Sequence, residues 1–142
     1  MDEGRGGAVH IGGLTPEQKA GEALVKLFTF VAARTIMAEI EGYDNEGGSA
    51  ASHPVWRGMQ DALTSEKGID ENFITDMMRS PDHDMQLAAV RLLEVRTSFA
   101  QDTFQWDVLR AAAISNVQAD AERVMAQYMS SIVPLDTDAC GE

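Results

Sequence analysis

The feature that most constrains the fold is a run of good helix formers from Ser80 to Val133, with no glycine and no proline after Pro81. Ser80 and Pro81 are predicted to cap and open this helix, and Pro134 marks its predicted end. At about 1.5 Å per residue, a helix of some fifty residues would be on the order of 75 Å long, which exceeds the diameter of a domain of this size. The helix must therefore bend or extend into a partner. We expect the bend at residues 96–103, where β-branched and polar residues thin the apolar stripe.

The rest of the sequence also has the pattern of helices. The motif Thr15-Pro16-Glu17-Gln18 is a capping signature, which predicts a helix from there to Gly42. Two shorter helices are predicted after it, one opened by His53-Pro54 and one capped by Asp70. The sequence has no strand pattern and no internal repeat. It predicts an all-α fold, a helical bundle with a long bent C-terminal helix.

Length and charge narrow the class of protein. The 142 residues suffice for one domain, which we expect at 15–133 between disordered tails at 1–14 and 134–142. With 11 basic and 23 acidic residues, the formal charge of -12 repels phosphate backbones and anionic membranes. The single cysteine, Cys140, allows no internal disulfide and no thiolate zinc site. We therefore expect no nucleic-acid or membrane partner and no bound metal.

The first predicted helix is apolar on nearly every side between Leu24 and Met37. At 100° per residue its side chains form three lines, made of Leu24, Phe28, Val31, Thr35 and Ala38, of Val25, Ile36 and Ile40, and of Leu27, Phe30, Arg34 and Met37. One interpretation is that the helix is the central member of a bundle. However, a bundle of four helices in about 120 ordered residues has no fully enclosed central helix. The third line therefore suits a bound peptide or another subunit.

Residues with catalytic or metal-binding patterns are few. His10, His53 and His83 have no ligand-type partner three or four residues away, which is typical of surface histidines. A di-iron centre in a helical bundle needs Glu-x-x-His pairs, and the sequence contains none. We therefore expect a binding protein, not an enzyme, with no catalytic residues and no cofactor. A metal-dependent helical-bundle enzyme is the alternative.

Basic residues within the apolar helices indicate the kind of ligand. They are Arg34, Arg91, Arg96 and Arg123. Each could pair with a carboxylate on its own surface. Because arginine is tolerated at interfaces and binds carboxylates bidentately, the set also suits an apolar groove for a peptide that combines aromatic and acidic side chains.

Three segments carry a resemblance to a known family. "LFTFVAARTIMAEIEGY", "MQLAAVRLLEVRTSFAQDTFQWD" and "NVQADAERVMAQY" resemble RbcX, the assembly chaperone of Rubisco, in its plastid form, and the match covers about residues 15–130. The resemblance implies an all-α, boomerang-shaped homodimer whose long, bent last helices build much of its body. It also implies that the dimer binds the C-terminal peptide of the Rubisco large subunit without ATP. By the same resemblance, large-subunit dimers are expected to progress to an octameric core. The expected location of the protein is the chloroplast stroma.

The same resemblance implies roles for particular residues. It places Ala23, Leu27, Phe30 and Ile69 in the peptide-binding groove, Glu39, Arg91 and Arg123 at its edge against the large subunit, and Arg34 and Arg96 in a structural or dimer-interface position. Leu27 replaces the family's usual aromatic residue, and Glu39 replaces a glutamine. A different function remains open, that of an acidic dimeric helical adaptor that binds another amphipathic peptide.

Overall fold

Helices make up nearly all of the structure, a computed structural model that describes residues 9–43, 50–66 and 68–140. In this part of the chain there are five α-helices, α1 (Pro16–Tyr43), α2 (Pro54–Thr64), α3 (Glu71–Met78), α4 (His83–Ser98) and α5 (Trp106–Cys140). A 3-10 turn at Ala50–Ser52 precedes α2, and a π-helix at Phe99–Thr103 lies between α4 and α5. The predicted all-α class is confirmed.

A tight turn precedes α1, within the tail that the sequence predicts at 1–14. Residues 1–8 lie outside the described residues. Ile11 and Leu14 exchange backbone hydrogen bonds of 2.6 and 3.1 Å across Gly12 and Gly13. The φ angles of these glycines are 60° and 84°, a region that glycine adopts without steric cost. The Gly-Gly pair therefore allows a reversal of the chain that the helical pattern of the sequence does not predict.

Local side-chain caps explain where the first helices begin. The Thr15 amide donates to Gln18 Oε1 over 2.9 Å, and the Gln18 amide donates to Thr15 Oγ1 over 3.1 Å, which confirms the predicted capping box. At α3, Asp70 Oδ1 accepts a bond of 3.0 Å from the Phe73 amide. Both signals span three residues and were readable from the sequence for that reason.

The start of α4 differs from the prediction. The sequence predicts Ser80 as the cap and Pro81 as the first helical residue, whereas the observed cap is Asp82 and α4 begins at His83. The Asp82 side chain accepts a bond of 3.0 Å from the Asp84 amide, and aspartate caps a helix about as well as serine. Ser80 Oγ instead accepts a bond of 3.1 Å from the Asp82 amide, in the turn before the helix.

The long C-terminal run is interrupted within the segment that the sequence predicts as its bend. α4 ends at Ser98, the π-helix occupies Phe99–Thr103, and α5 resumes at Trp106. A π-helix breaks the regular hydrogen-bond ladder of an α-helix. By its internal contacts the chain divides into two compact units, one ending at Thr103 and one beginning at Phe104.

α5 continues past the end that the sequence predicts for it. The prediction places this end at Val133, and a tail from 134 onward, but α5 runs to Cys140 and includes Pro134. A proline removes one backbone donor and kinks or breaks a helix, but its presence does not fix where the helix ends. The predicted end at Val133 is therefore wrong, and residues 141–142 lie outside the described residues.

The core of the unit that ends at Thr103 is formed by α1, α2, α3 and α4. α4 packs against both α1 and α3, and α2 packs against α1. Three fully buried alanines, Ala32, Ala33 and Ala89, lie on α1 and α4, where small side chains let two helices approach closely. The remaining buried residues of this cluster are Ile36, Met37, Val55, Met59, Ile69, Ile74, Met77 and Leu92.

Met37 corrects the third line that the sequence predicts along α1. The prediction places it with Leu27 and Phe30, but Met37 is 0% exposed whereas the other two are on the surface. α2 packs against α1 and adds Val55 and Met59 to the cluster that contains Met37. Met37 is therefore a core residue.

The other two predicted lines are each only partly buried. On the first, Phe28 is buried and makes an edge-to-face contact with Phe99 of the π-helix, with 5.5 Å between ring centroids. Thr35 and Ala38 of the same line are exposed. Val25, on the second line, is exposed as well. The core face of α1 thus takes a buried residue from each of the three lines, namely Phe28, Ile36 and Met37.

Candidate functional site

The exposed side of α1 carries three of the four predicted groove residues. Ala23, Leu27 and Phe30 follow one another at spacings of four and three residues, and Arg34 lies four residues further along the same side. Leu27 is 45% and Phe30 48% exposed, although both are large and apolar. We call Ala23, Leu27, Phe30 and Arg34 the α1 surface line. Neighbouring apolar side chains left on a surface are typical of an interaction site.

Ile69, the fourth predicted groove residue, has a different environment. It lies in the loop before α3, is 8% exposed and belongs to the buried cluster. The structure therefore brings Ala23, Leu27 and Phe30 together on a surface but does not place Ile69 among them. Its role in a groove stays a prediction.

Two of the predicted edge residues are ion-paired with each other. Arg91 Nη2 on α4 donates to Glu39 Oε2 on α1 over 2.8 Å. The hydrogen bond to Glu39, and then the attraction of its carboxylate, raise the pKa of Arg91 above its ordinary value. The side chains are 51% and 43% exposed, and exposed ion pairs contribute only about 0–1 kcal/mol to stability. The pair therefore orients the guanidinium of Arg91 more than it stabilises the fold.

Arg123, the third predicted edge residue, lies on α5 in the unit that begins at Phe104. It forms an ion pair with Asp120 and donates to Gln127 Oε1 over 3.4 Å. Both partners are within four residues of Arg123, and its side chain is 59% exposed. These contacts hold the side chain along its own helix.

Thr29 is a buried polar residue in α1, with both hydrogen-bonding functions of its hydroxyl in use. Oγ1 donates to the Val25 carbonyl over 2.7 Å and accepts from Arg96 Nη1 of α4 over 3.1 Å. Thr29 is 2% exposed, so its hydroxyl needs these partners. The contact ties Arg96 to α1 of the same chain. The structural or dimer-interface role of this arginine stays a prediction.

Thr29→Val should lower the free energy of unfolding by about 1 kcal/mol, because it removes a part-buried hydrogen bond while keeping the side-chain shape. Thr35→Val is the matched control. Thr35 donates to the Val31 carbonyl over 2.8 Å in the same way, but it is exposed on the same helix. Urea denaturation measures the free energy of unfolding of both variants. The difference between the two losses is the contribution of burial and of the Arg96 contact. Equal losses would contradict this role of Arg96.

A cavity of about 440 Å³ lies on a different side of α1 from the α1 surface line. Val25 and Thr29 of α1, Ile69 of the loop before α3, and Arg96 of α4 contribute to its wall. This cavity could not be predicted from the sequence, because its residues come from three parts of the chain. The one available signal is Thr29, a polar residue in the middle of an apolar helix.

α5 exposes a series of large apolar side chains. They are Trp106, Val108, Ile114, Val117, Val124, Met125, Tyr128, Met129 and Ile132. Ile114, Val117, Val124 and Tyr128 recur every three, seven and four residues, which places them on one side of the helix. An apolar helix side of this length is typical of an interface with another helix.

Neither a metal-binding cluster nor a membrane-spanning helix occurs among the described residues. No group of three or more His, Cys, Asp or Glu side chains is arranged to hold a metal ion in the part of the chain that the structure describes. Within the same residues, no helix combines the length and the apolar character needed to cross a bilayer.

Comparison with known proteins identifies the class to which this all-α fold belongs. The chain is 31% identical over 129 residues to the chaperonin-like RBCX protein 1, chloroplastic, of Arabidopsis thaliana, a match that covers 90% of this chain and 69% of that protein. The solved structure of AtRbcX1 from Arabidopsis thaliana superposes with a TM-score of 0.64 at 30% identity, over 81% of this chain and 97% of that one. No protein-family model matches the sequence. The fold and the sequence are thus those of small helical chaperonin-like proteins. The chain belongs to the RbcX family.

Proposed function

We propose that this protein is an ATP-independent assembly chaperone for Rubisco, and not an enzyme. In this proposal a homodimer binds the C-terminal peptide of the large subunit in a groove and promotes large-subunit dimers and the octameric core. Membership of the RbcX family supports the role in assembly. The observation that carries the peptide site is the exposure of Leu27 and Phe30 on the side of α1 away from the core.

The chemistry of the α1 surface line fits a peptide with phenylalanines among acidic residues. Leu27 and Phe30 offer apolar area to an aromatic side chain, and Arg34 offers a guanidinium to a carboxylate. An extended peptide loses conformational freedom when it binds, so a site of this size should bind it modestly. Modest affinity suits a chaperone that must release its client.

A second copy of the chain is the proposed partner of α5. The apolar side that contains Ile114, Val117, Val124 and Tyr128 would be buried in the dimer. Burial of apolar side chains between two copies is the usual driving force for a stable homodimer. The proposed location is the chloroplast stroma, supported at the level of the plastid by the relative that is named as chloroplastic.

A peptide titration tests the proposed function directly. The purified protein is titrated with a peptide that copies the C-terminus of the Rubisco large subunit, and with a copy in which its phenylalanines are alanines. We expect about one peptide bound per dimer, and loss of binding with the altered copy. Equal binding of both copies, or of an unrelated amphipathic peptide, would favour the acidic adaptor. Metal analysis of the same sample tests the alternative of a metal-dependent enzyme.

Arg91→Ala should separate the edge of the site from the groove. We expect the affinity for the isolated peptide to change by less than about twofold, and capture of the whole large subunit to fall by about tenfold. Pull-down of large subunits, beside the peptide titration, measures both. Arg79→Ala is the control, since Arg79 is exposed at the end of α3 and outside the Glu39–Arg91 pair. Equal loss of peptide and subunit would contradict an edge role.

A further inference from the structure

The cavity beside α1 combines an apolar wall with two cationic side chains. Val25 and Ile69 supply apolar surface, and Lys26 and Arg96 supply the charges. Its volume of about 440 Å³ is sufficient for a large side chain. All of its lining residues belong to the unit that ends at Thr103.

The two cations form no ion pair with the carboxylates that line the same cavity. Glu22 forms its ion pair with Lys19, at 3.5 Å, and Asp70 accepts the Phe73 amide as the cap of α3. Among the described residues, no carboxylate oxygen lies within 4.0 Å of Lys26 or of Arg96. Arg96 uses one of its five donors on Thr29. Charge that could bind an anion is therefore available here, in a chain whose formal charge is -12.

Lys26 also connects this cavity to the α1 surface line. Lys26 lines the cavity, and it is three residues after Ala23 and four residues before Phe30 on the same helix. Residues at these spacings are neighbours on a helix surface. A peptide that contacts Phe30 can therefore place an adjacent side chain against Lys26.

We propose that this cavity binds a carboxylate that the client peptide carries beside one of its apolar residues. The inference rests on the proposed peptide-binding function and adds a specificity site to it. Lys26 and Arg96 bind the carboxylate, and Val25 and Ile69 contact the carbon chain that bears it. A phosphate group would carry about two negative charges. It fits less well, because Glu22 and Asp70 also line the cavity.

The test combines changes in the peptide with a change in the protein. The probes are the C-terminal peptide of the Rubisco large subunit and copies in which each acidic residue in turn is replaced by its amide. With the unmodified protein, we expect one of these copies to bind about fivefold more weakly, the effect of losing a partly exposed charge-assisted bond. With Lys26→Gln, the difference between this copy and the parent peptide should fall to about twofold, since Lys26 supplies part of the interaction and Arg96 still supplies the rest.

Arg57→Gln is the matched control, because it removes one positive charge from exposed α2 and lies outside the cavity. It should keep the fivefold preference for the acidic peptide. If every amide copy binds the unmodified protein as the parent does, the cavity proposal fails while the peptide site stands. If the parent peptide does not bind at all, the proposed function itself fails. A further outcome is that Lys26→Gln changes the molecular mass of the protein in solution but keeps the preference for the acidic peptide. This would assign the cavity to the interface between copies and overturn the proposal.

Discussion

Replacing Met37 by alanine should lower the free energy of unfolding by about 3 kcal/mol, because deleting a fully buried methionine leaves a cavity that the core refills only in part. Met37 is 0% exposed and lies in one cluster with Val55 and Met59 of α2. The loss is a large fraction of the 5–15 kcal/mol or so that stabilises a typical domain. Urea denaturation followed by circular dichroism measures it.

Met78→Ala provides the control, since it makes the same chemical change at an exposed methionine of α3. Its effect should stay within about 0.5 kcal/mol. Protein concentration must be the same for all variants, because the stability of the proposed dimer would depend on it. A similar small loss for Met37→Ala would mean that this side chain is not part of the core.

Features set by neighbours in sequence could be predicted. The capping box at Thr15 and Gln18 spans three residues, and the interruption after Ser98 falls where polar and β-branched residues thin the apolar stripe. The start of α4 was harder to place because Ser80 and Asp82 are both good caps. Local signals thus identify the helices well, but they leave a choice of boundary where two signals compete.

Contacts between distant parts of the chain could not be predicted in the same way. Glu39 and Arg91 are 52 residues apart, and Thr29 and Arg96 are 67 apart. Periodicity shows that α1 is apolar on several sides, but the position of α2 decides that Met37 is buried and leaves Phe30 exposed. Likewise, nothing in the local sequence around Ile69 reveals that it joins the core.

Phe30→Ala should weaken binding of the C-terminal peptide of the large subunit by about 30-fold, equivalent to about 2 kcal/mol, because an aromatic side chain at the centre of an interface contributes most of its contact area. The side chain is 48% exposed, so its removal leaves no cavity in the core. We therefore expect the urea midpoint and the molecular mass of the proposed dimer to stay unchanged. Peptide titration, denaturation and sedimentation of one preparation give all three quantities.

Leu87→Ala is the control for this prediction, because Leu87 is an exposed apolar residue on α4, outside the α1 surface line, at 54% exposure. It should bind the peptide like the unmodified protein. If Phe30→Ala unfolds or dissociates the protein, Phe30 belongs to the core or to the dimer interface. With Met37→Ala, the experiment separates the two sides of α1. One variant should lose stability and the other should lose peptide, although both residues lie on a single line in the sequence pattern.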